Sequence, residues 1–169
     1  MENIIRGKVF KYGDDVNTDV IFPGKYTYTV QDPQEMAQHA LEDLDPDFAR
    51  RVKKGDVIVA GKNFGCGSSR EQAATCLVAA GVGAIVGISF SRIFYRNAIN
   101  QGLPAIVLPE LVKIAEPGEK IEIELDVHRI TLKGFHFSFP PFPQFVMGIL
   151  RDGGLLAHIR RRYVRGSEG

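Results

Sequence analysis

The stretch Asn63-Phe64-Gly65-Cys66-Gly67-Ser68-Ser69-Arg70-Glu71 crowds glycines, two hydroxyls, a thiol and a guanidinium into one short segment. It follows a strand-like run and opens a helix-like one. At such a junction, free backbone N–H groups and the helix dipole favour an anion. Gly65 and Gly67 permit positive φ and let the backbone approach a ligand closely. Arg70 offers a planar fork that matches a carboxylate, and Ser68 and Ser69 add donors beside it. The same residues also read as a capping box, with Ser68 as the N-cap and Glu71 three positions on. A capped helix still presents its first turn to a ligand, so both readings stand. No Lys follows the glycines, and Arg70 occupies the third glycine position of GxGxxG, so a nucleotide loop is not supported. Cys66 lies at the helix entrance, where a thiol can become a nucleophile, but no histidine lies near it in sequence.

The elements around this segment form a pattern. Residues 4–12 (IIRGKVFKY) read as a strand, and 13–28 as turn-rich chain. Asp32-Pro33 opens a helix carrying Met36, Ala37, Ala40 and Leu41, and Asp45-Pro46 opens a second short one. Val57–Ala60 is a buried strand, followed by the glycine-rich turn and a helix from Arg70 to Ala80 that Gly81 stops. A strand at 84–86, a helix from Ser89 to Asn100 and a strand at 105–108 complete a parallel α/β unit. From Lys120 to Phe139 the period changes to two. Ile121, Ile123 and Leu125, then Phe135, Phe137 and Phe139, predict a half-buried antiparallel addition. A helix over 144–151 ends at Gly153-Gly154. The result is one α/β domain over 1–169 with a mixed sheet, with 160–169 expected as a frayed basic tail carrying Arg160, Arg161, Arg162 and Arg165.

Bulk composition excludes several classes of function. The chain has 169 residues, enough for one domain with a real core, and Lys plus Arg (21) nearly balance Asp plus Glu (20). No strong field points to nucleic acid or to an anionic membrane, and no apolar run approaches a membrane span. Two cysteines, Cys66 and Cys76, make no disulfide framework and lack metal-ligand spacing, which predicts a reducing cytoplasm. The opening Met1-Glu2-Asn3 lacks a basic region before an apolar stretch, so no secretory leader is expected. His39, His128, His136 and His158 also lack ligand spacing, so no metal ligand is expected in this chain. Arg92, Tyr95 and Arg96 share one helix face, either solvated or against a partner.

Three segments in order carry a resemblance. DDVNTDVIFPGKY (14–26), GCGSSRE (65–71) and SFSRIFYRNAINQGLPAIVL (89–108) together resemble the swivelling C-terminal domain of the aconitase family. A chain of this size carrying that domain alone resembles the family's separate small subunits. The resemblance implies a three-layer β/β/α domain and a hydro-lyase active only with a large subunit. It implies that Ser68 is the base that takes a carbon-bound proton, that Ser69 and Arg70 hold a substrate carboxylate, and that Asp19 orients its basic neighbours. Thr18, in the same substrate-side motif, is expected to bind substrate as well, as is Tyr28. Without the other motifs, residues 17–19 read as turn chemistry. The family's [4Fe–4S] cluster needs three thiolates, more than the 2 cysteines here supply, so the cluster is expected on the large subunit of a hetero-oligomer. Tricarboxylate-binding members carry an Arg in the loop after the first motif, and Tyr28 stands in its place here, with Lys25 nearby. An unpaired third carboxylate is costly to bury, so a 2-alkylmalate with an isopropyl substituent fits better than homocitrate. A homocitrate, citramalate or dimethylmalate substrate and a non-catalytic anion-binding module remain as alternatives, and the isolated chain could form a homo-oligomer.

Overall fold

The computed structural model describes residues 3–168; Met1, Glu2, where no leader is expected, and Gly169 lie outside the described residues. Seven strands form one mixed sheet in the order β4-β3-β2-β1-β5-β6-β7. The parallel half consists of β1 (Ile4–Lys11), β2 (Val57–Ala60), β3 (Ala84–Gly87) and β4 (Ala105–Val107). The antiparallel half is β5 (Lys120–Glu124), β6 (Arg129–Leu132) and β7 (Phe135–Ser138). Strand β1 joins the halves by changing partners along its length. Ile4 to Lys8 pair antiparallel with β5, and Val9 to Lys11 pair parallel with β2.

Side-chain alternation along the strands builds the layers. From β2 and β3, Ile58, Ala60 and Ile85 point to one side, onto α1 (Thr18–Ile21), α2 (Pro33–Gln38), α3 (Phe48–Arg51), α4 (Gln72–Ala80) and α5 (Arg92–Asn100). Val57, Val59, Ala84 and Val86 point to the other side, onto Ile121, Ile123, Ile130 and Leu132 of the antiparallel half. Both faces of β2 and β3 are therefore buried, as the unbroken apolar runs VIVA and AIVG require. Helices, parallel strands and curled-over antiparallel strands make three layers, in agreement with the expected β/β/α arrangement. Helices α6 (Pro109–Ile114) and α7 (Gln144–Arg151) contribute Leu111, Met147 and Ile149 to the second core.

Most elements follow the sequence reading, and the departures have local causes. Asp32 caps α2 by accepting from the Glu35 N–H, with Pro33 at the first helical position. The helix expected at Asp45-Pro46 begins instead at Phe48, because the Asp45 carboxylate accepts the Tyr12 hydroxyl at 2.8 Å. Helix α6 is absent from the sequence reading. Phe139 is buried and Phe137 partly so, but Phe135, on the edge strand, is 66% exposed.

The tail is also a correction. The chain resumes after Gly154 as α8 (Leu155–Glu168), where a frayed segment was expected over 160–169. Asp152 ties the new helix down, accepting from His158 at 2.7 Å and from Arg161 at 2.6 Å. Those bonds, His158 first, hold its carboxyl below the ordinary carboxylate range. No helix among the described residues is long and apolar enough to cross a membrane.

Candidate functional site

Two loops run side by side at the C-terminal ends of the parallel strands. Residues 14–18 follow β1, and 62–66 follow β2. The Asp15 N–H donates to the Lys62 carbonyl at 2.8 Å, the Gly65 N–H to Val16 at 2.7 Å, and the Thr18 N–H to Cys66 at 2.8 Å. This ladder sets Thr18 beside Ser68. Gly65 takes φ +82°, and a Cβ there would fall 2.2 Å from the Phe94 ring, so no larger residue fits. Gly67 takes φ +104°, where a Cβ would sit 3.2 Å from the Thr18 hydroxyl.

Ser68 is the centre of the cluster. Its Oγ lies 3.1 Å from Thr18 Oγ1, its backbone N–H donates to the same hydroxyl at 3.1 Å, and Arg70 Nε–H donates to its Oγ at 3.0 Å. Thr18 is 2% exposed, whereas Ser68 and Ser69 face solvent. The capping box does not form. Helix α4 starts at Gln72 rather than Arg70, Glu71 takes the cap position, and no side chain bonds there. Thr18 and Arg70 engage the Ser68 hydroxyl instead, so tertiary contacts override the local pattern.

Arg70 is held from several elements. Its Nη2 pairs with the Asp19 carboxylate, and its Nη1 donates to Thr27 Oγ1 at 2.7 Å. Asn17 accepts the Val20 N–H at 2.9 Å as the cap of α1, so the turn chemistry read at 17–19 is present while Asp19 still reaches Arg70. Ser68, Arg70, Asp19 and Thr18 thus converge.

The remaining expected site residues lie apart from that knot. Ser69 stands at its rim with its carbonyl held by Asn97 Nδ2 of α5 at 3.4 Å. Tyr28 is 89% exposed, one residue past Thr27, and no hydrogen bond joins it to the cluster among the described residues. Lys25 pairs with Glu42 at 3.7 Å and lies over the Tyr26 ring. Glu42 also accepts from Tyr26 at 2.8 Å and from His39 at 2.7 Å, and the Tyr26 and His39 rings stack at 3.9 Å. Burial pushes the Glu42 carboxyl up, but the bonds from His39 and Tyr26 outweigh it and hold the carboxyl below its ordinary value. This knot anchors the 3₁₀ turn Gly24–Tyr26 that leads into Thr27.

Sequence reasoning missed Thr27, Gln72 and Asn97. Gln72 Nε2 donates to the Thr27 carbonyl at 2.9 Å. Only the fold brings these residues to Arg70 and Ser69, and no local pattern marks them.

The other reactive groups are dispersed. Cys76 is buried, its thiol donates to the Ala73 carbonyl at 3.3 Å, and burial pushes its pKa far up. Cys66 is half-buried in the loop ladder. No group of three His, Cys, Asp or Glu that could hold a metal ion is found among the described residues. With 2 cysteines in the whole sequence, the residues present do not fit a [4Fe–4S] cluster needing three thiolates. Arg92, Tyr95 and Arg96 line a groove of about 550 Å³ with Ile88 and Phe145, separate from Ser68 and Arg70.

A serine flanked by an arginine Nε–H and a buried threonine, on glycine-bounded loops at the carboxyl ends of a β/β/α sheet, defines a class. The chain belongs to the aconitase C-terminal domain family, whose model matches residues 14–111, and to its dehydratase small subunits. Over its full length it is 50% identical to the 3-isopropylmalate dehydratase small subunit 1 of Methanopyrus kandleri, covering 100% of both chains. It is 48% identical to the 2,3-dimethylmalate dehydratase small subunit of Eubacterium barkeri, over 91% of this chain and 95% of that one. The crystal structure of 3-isopropylmalate dehydratase from Methanocaldococcus jannaschii superposes with a TM-score of 0.91 at 43% identity, covering 98% of each chain. A small subunit implies a large-subunit partner.

Proposed function

We propose that this chain is the small subunit of a 3-isopropylmalate dehydratase, which moves a hydroxyl between adjacent carbons of isopropylmalate in leucine biosynthesis. The observation that carries the reading is the Arg70 Nε–H donated to Ser68 Oγ at 3.0 Å, with Thr18 Oγ1 at 3.1 Å on the same oxygen. A serine at its free pKa is a hopeless base. A charge-assisted donor and a second hydroxyl aimed at its oxygen stabilise the alkoxide that takes the carbon-bound proton. The terminal nitrogens of Arg70 hold a substrate carboxylate, and Asp19 orients them. Ser69, exposed at the rim, adds a second donor toward that carboxylate. The buried Thr18, expected at the substrate, supports Ser68 through its hydroxyl.

Ser68 and Ser69 are open to solvent in this chain, so another surface must exclude water during reaction. The large subunit is that surface, and the aconitase resemblance assigns it an iron–sulfur cluster, which would supply a Lewis acid for the departing hydroxyl. Its pairing with this chain forms the hetero-oligomer. The reading is tested by assaying the reconstituted pair on isopropylmalate, dimethylmalate, citramalate and homocitrate. The highest kcat/KM is expected for isopropylmalate; homocitrate in first place would overturn the substrate assignment.

Tyr28 bears on that ranking. Exposed on the anchored loop, it offers no cation to a third carboxylate. Tyr28→Arg should shift the kcat/KM ratio toward homocitrate by about thirtyfold, through one charge-assisted pair gained and one apolar fit lost. An unchanged ratio at matched cluster content would mean that the loop points away from substrate.

A further inference from the structure

We infer that Thr27 is a positioning residue that locks the rotation of the Arg70 guanidinium and so sets how tightly the substrate carboxylate binds; this rests on the reading of Arg70 given above. A guanidinium has five N–H groups. In Arg70 the one on Nε goes to Ser68, one on Nη1 goes to Thr27 at 2.7 Å, and Nη2 faces Asp19. One N–H then remains on each terminal nitrogen, two donors for the two oxygens of a carboxylate.

The three holds are unequal. The Asp19 side chain is 67% exposed, and an ion pair to a solvated carboxylate is weak and tolerant of rotation. Ser68 is the reacting group, and its oxygen changes charge during the cycle. Thr27 alone is neutral, directional and built into the scaffold. Its carbonyl is bonded by Gln72 at the start of α4, and the preceding Tyr26 is bonded to Glu42 and stacked on His39. Gly24, at the head of the same turn, lies so close to Asp19 and Arg70 that an added Cβ would sit 3.2 Å from one and 3.3 Å from the other. The turn, Asp19 and Arg70 therefore pack as one body, and the Thr27 hydroxyl is the hydrogen bond that links the turn to the guanidinium.

Thr27→Val keeps the shape and removes the hydroxyl; Thr27→Ser keeps the hydroxyl. In the reconstituted pair, Thr27→Val should raise KM for isopropylmalate about tenfold and lower kcat as well, because the Nε–H on Ser68 turns with the same planar guanidinium, and Thr27→Ser should stay near wild type in both. In parallel, the ¹⁵N-resolved Nε–Hε signal of Arg70 in the full chain should lose order in Thr27→Val and regain it in Thr27→Ser. If wild type proves inactive on alkylmalates but this loss and recovery of order are seen, the substrate reading fails and the positioning role stands. Unchanged order and unchanged KM in Thr27→Val would overturn the inference, as would a fall in kcat with KM unmoved.

Discussion

Replacing Ser68 with alanine should lower kcat of the assembled enzyme by at least about two orders of magnitude while leaving the fold intact. The size follows from removing an acid–base group that no neighbour can replace. Thr18 is buried behind it, and Arg70 is a permanent cation with no lone pair to offer. The cost in stability is small, because Ser68 does not cap α4 and its hydroxyl is open to water, which can take over the bonds from Thr18 and Arg70. The change in unfolding free energy should stay within about 1 kcal/mol, the range for an exposed site outside the core. The measurement is kcat at matched cluster content, with a melting curve beside it. Turnover near wild type in a folded pair would remove Ser68 as the base.

Arg70→Lys should lower kcat/KM by about two to three orders of magnitude, although the charge is kept. A lysine ammonium cannot place one donor on Ser68 Oγ and two more on a carboxylate in a fixed plane. Loss of a single preorganised donor on a developing oxyanion is worth about 10²–10³ in rate. The weakened carboxylate grip should add a rise in KM. Folding should survive, because the Asp19 partner is largely solvated and such pairs contribute about 0–1 kcal/mol. Steady-state kinetics separate the two effects. A loss confined to KM would mean that Arg70 binds substrate but does not assist Ser68.

The sequence revealed much of the fold because the informative signals were local. Strands β2 and β3 are unbroken apolar runs, and Gly81 ends α4 with φ +102° as a left-handed cap. The antiparallel half was legible from the alternation Ile121, Ile123. Its tight turn was not read from the sequence: Lys133 and Gly134 both take positive φ, the signature of a two-residue hairpin loop. The tail was not legible. Gly153-Gly154 looks like a stop, and what restarts the helix is Asp152 reaching forward to His158 and Arg161.

At the site, the residues that do chemistry were legible because they cluster in one glycine-rich motif and one substrate-side motif. Their supports were not. The Ser68–Glu71 spacing satisfies a capping box on paper, but the Thr18 hydroxyl, brought in by pairing between two loops, captures Ser68 first. Thr27 and Asn97 carry no signal of their own, because each acts through a contact that exists only after folding.

The most direct test of the account is a titration. Hydration of the unsaturated intermediate is followed at fixed large subunit while this chain is added, with each chain also assayed alone. The account predicts no activity from either chain alone, no stoichiometric iron or sulfide on this one, and a rate that rises with added chain to saturation. Turnover by this chain alone, or an iron–sulfur cluster bound to it, would contradict the proposed division of labour between the subunits.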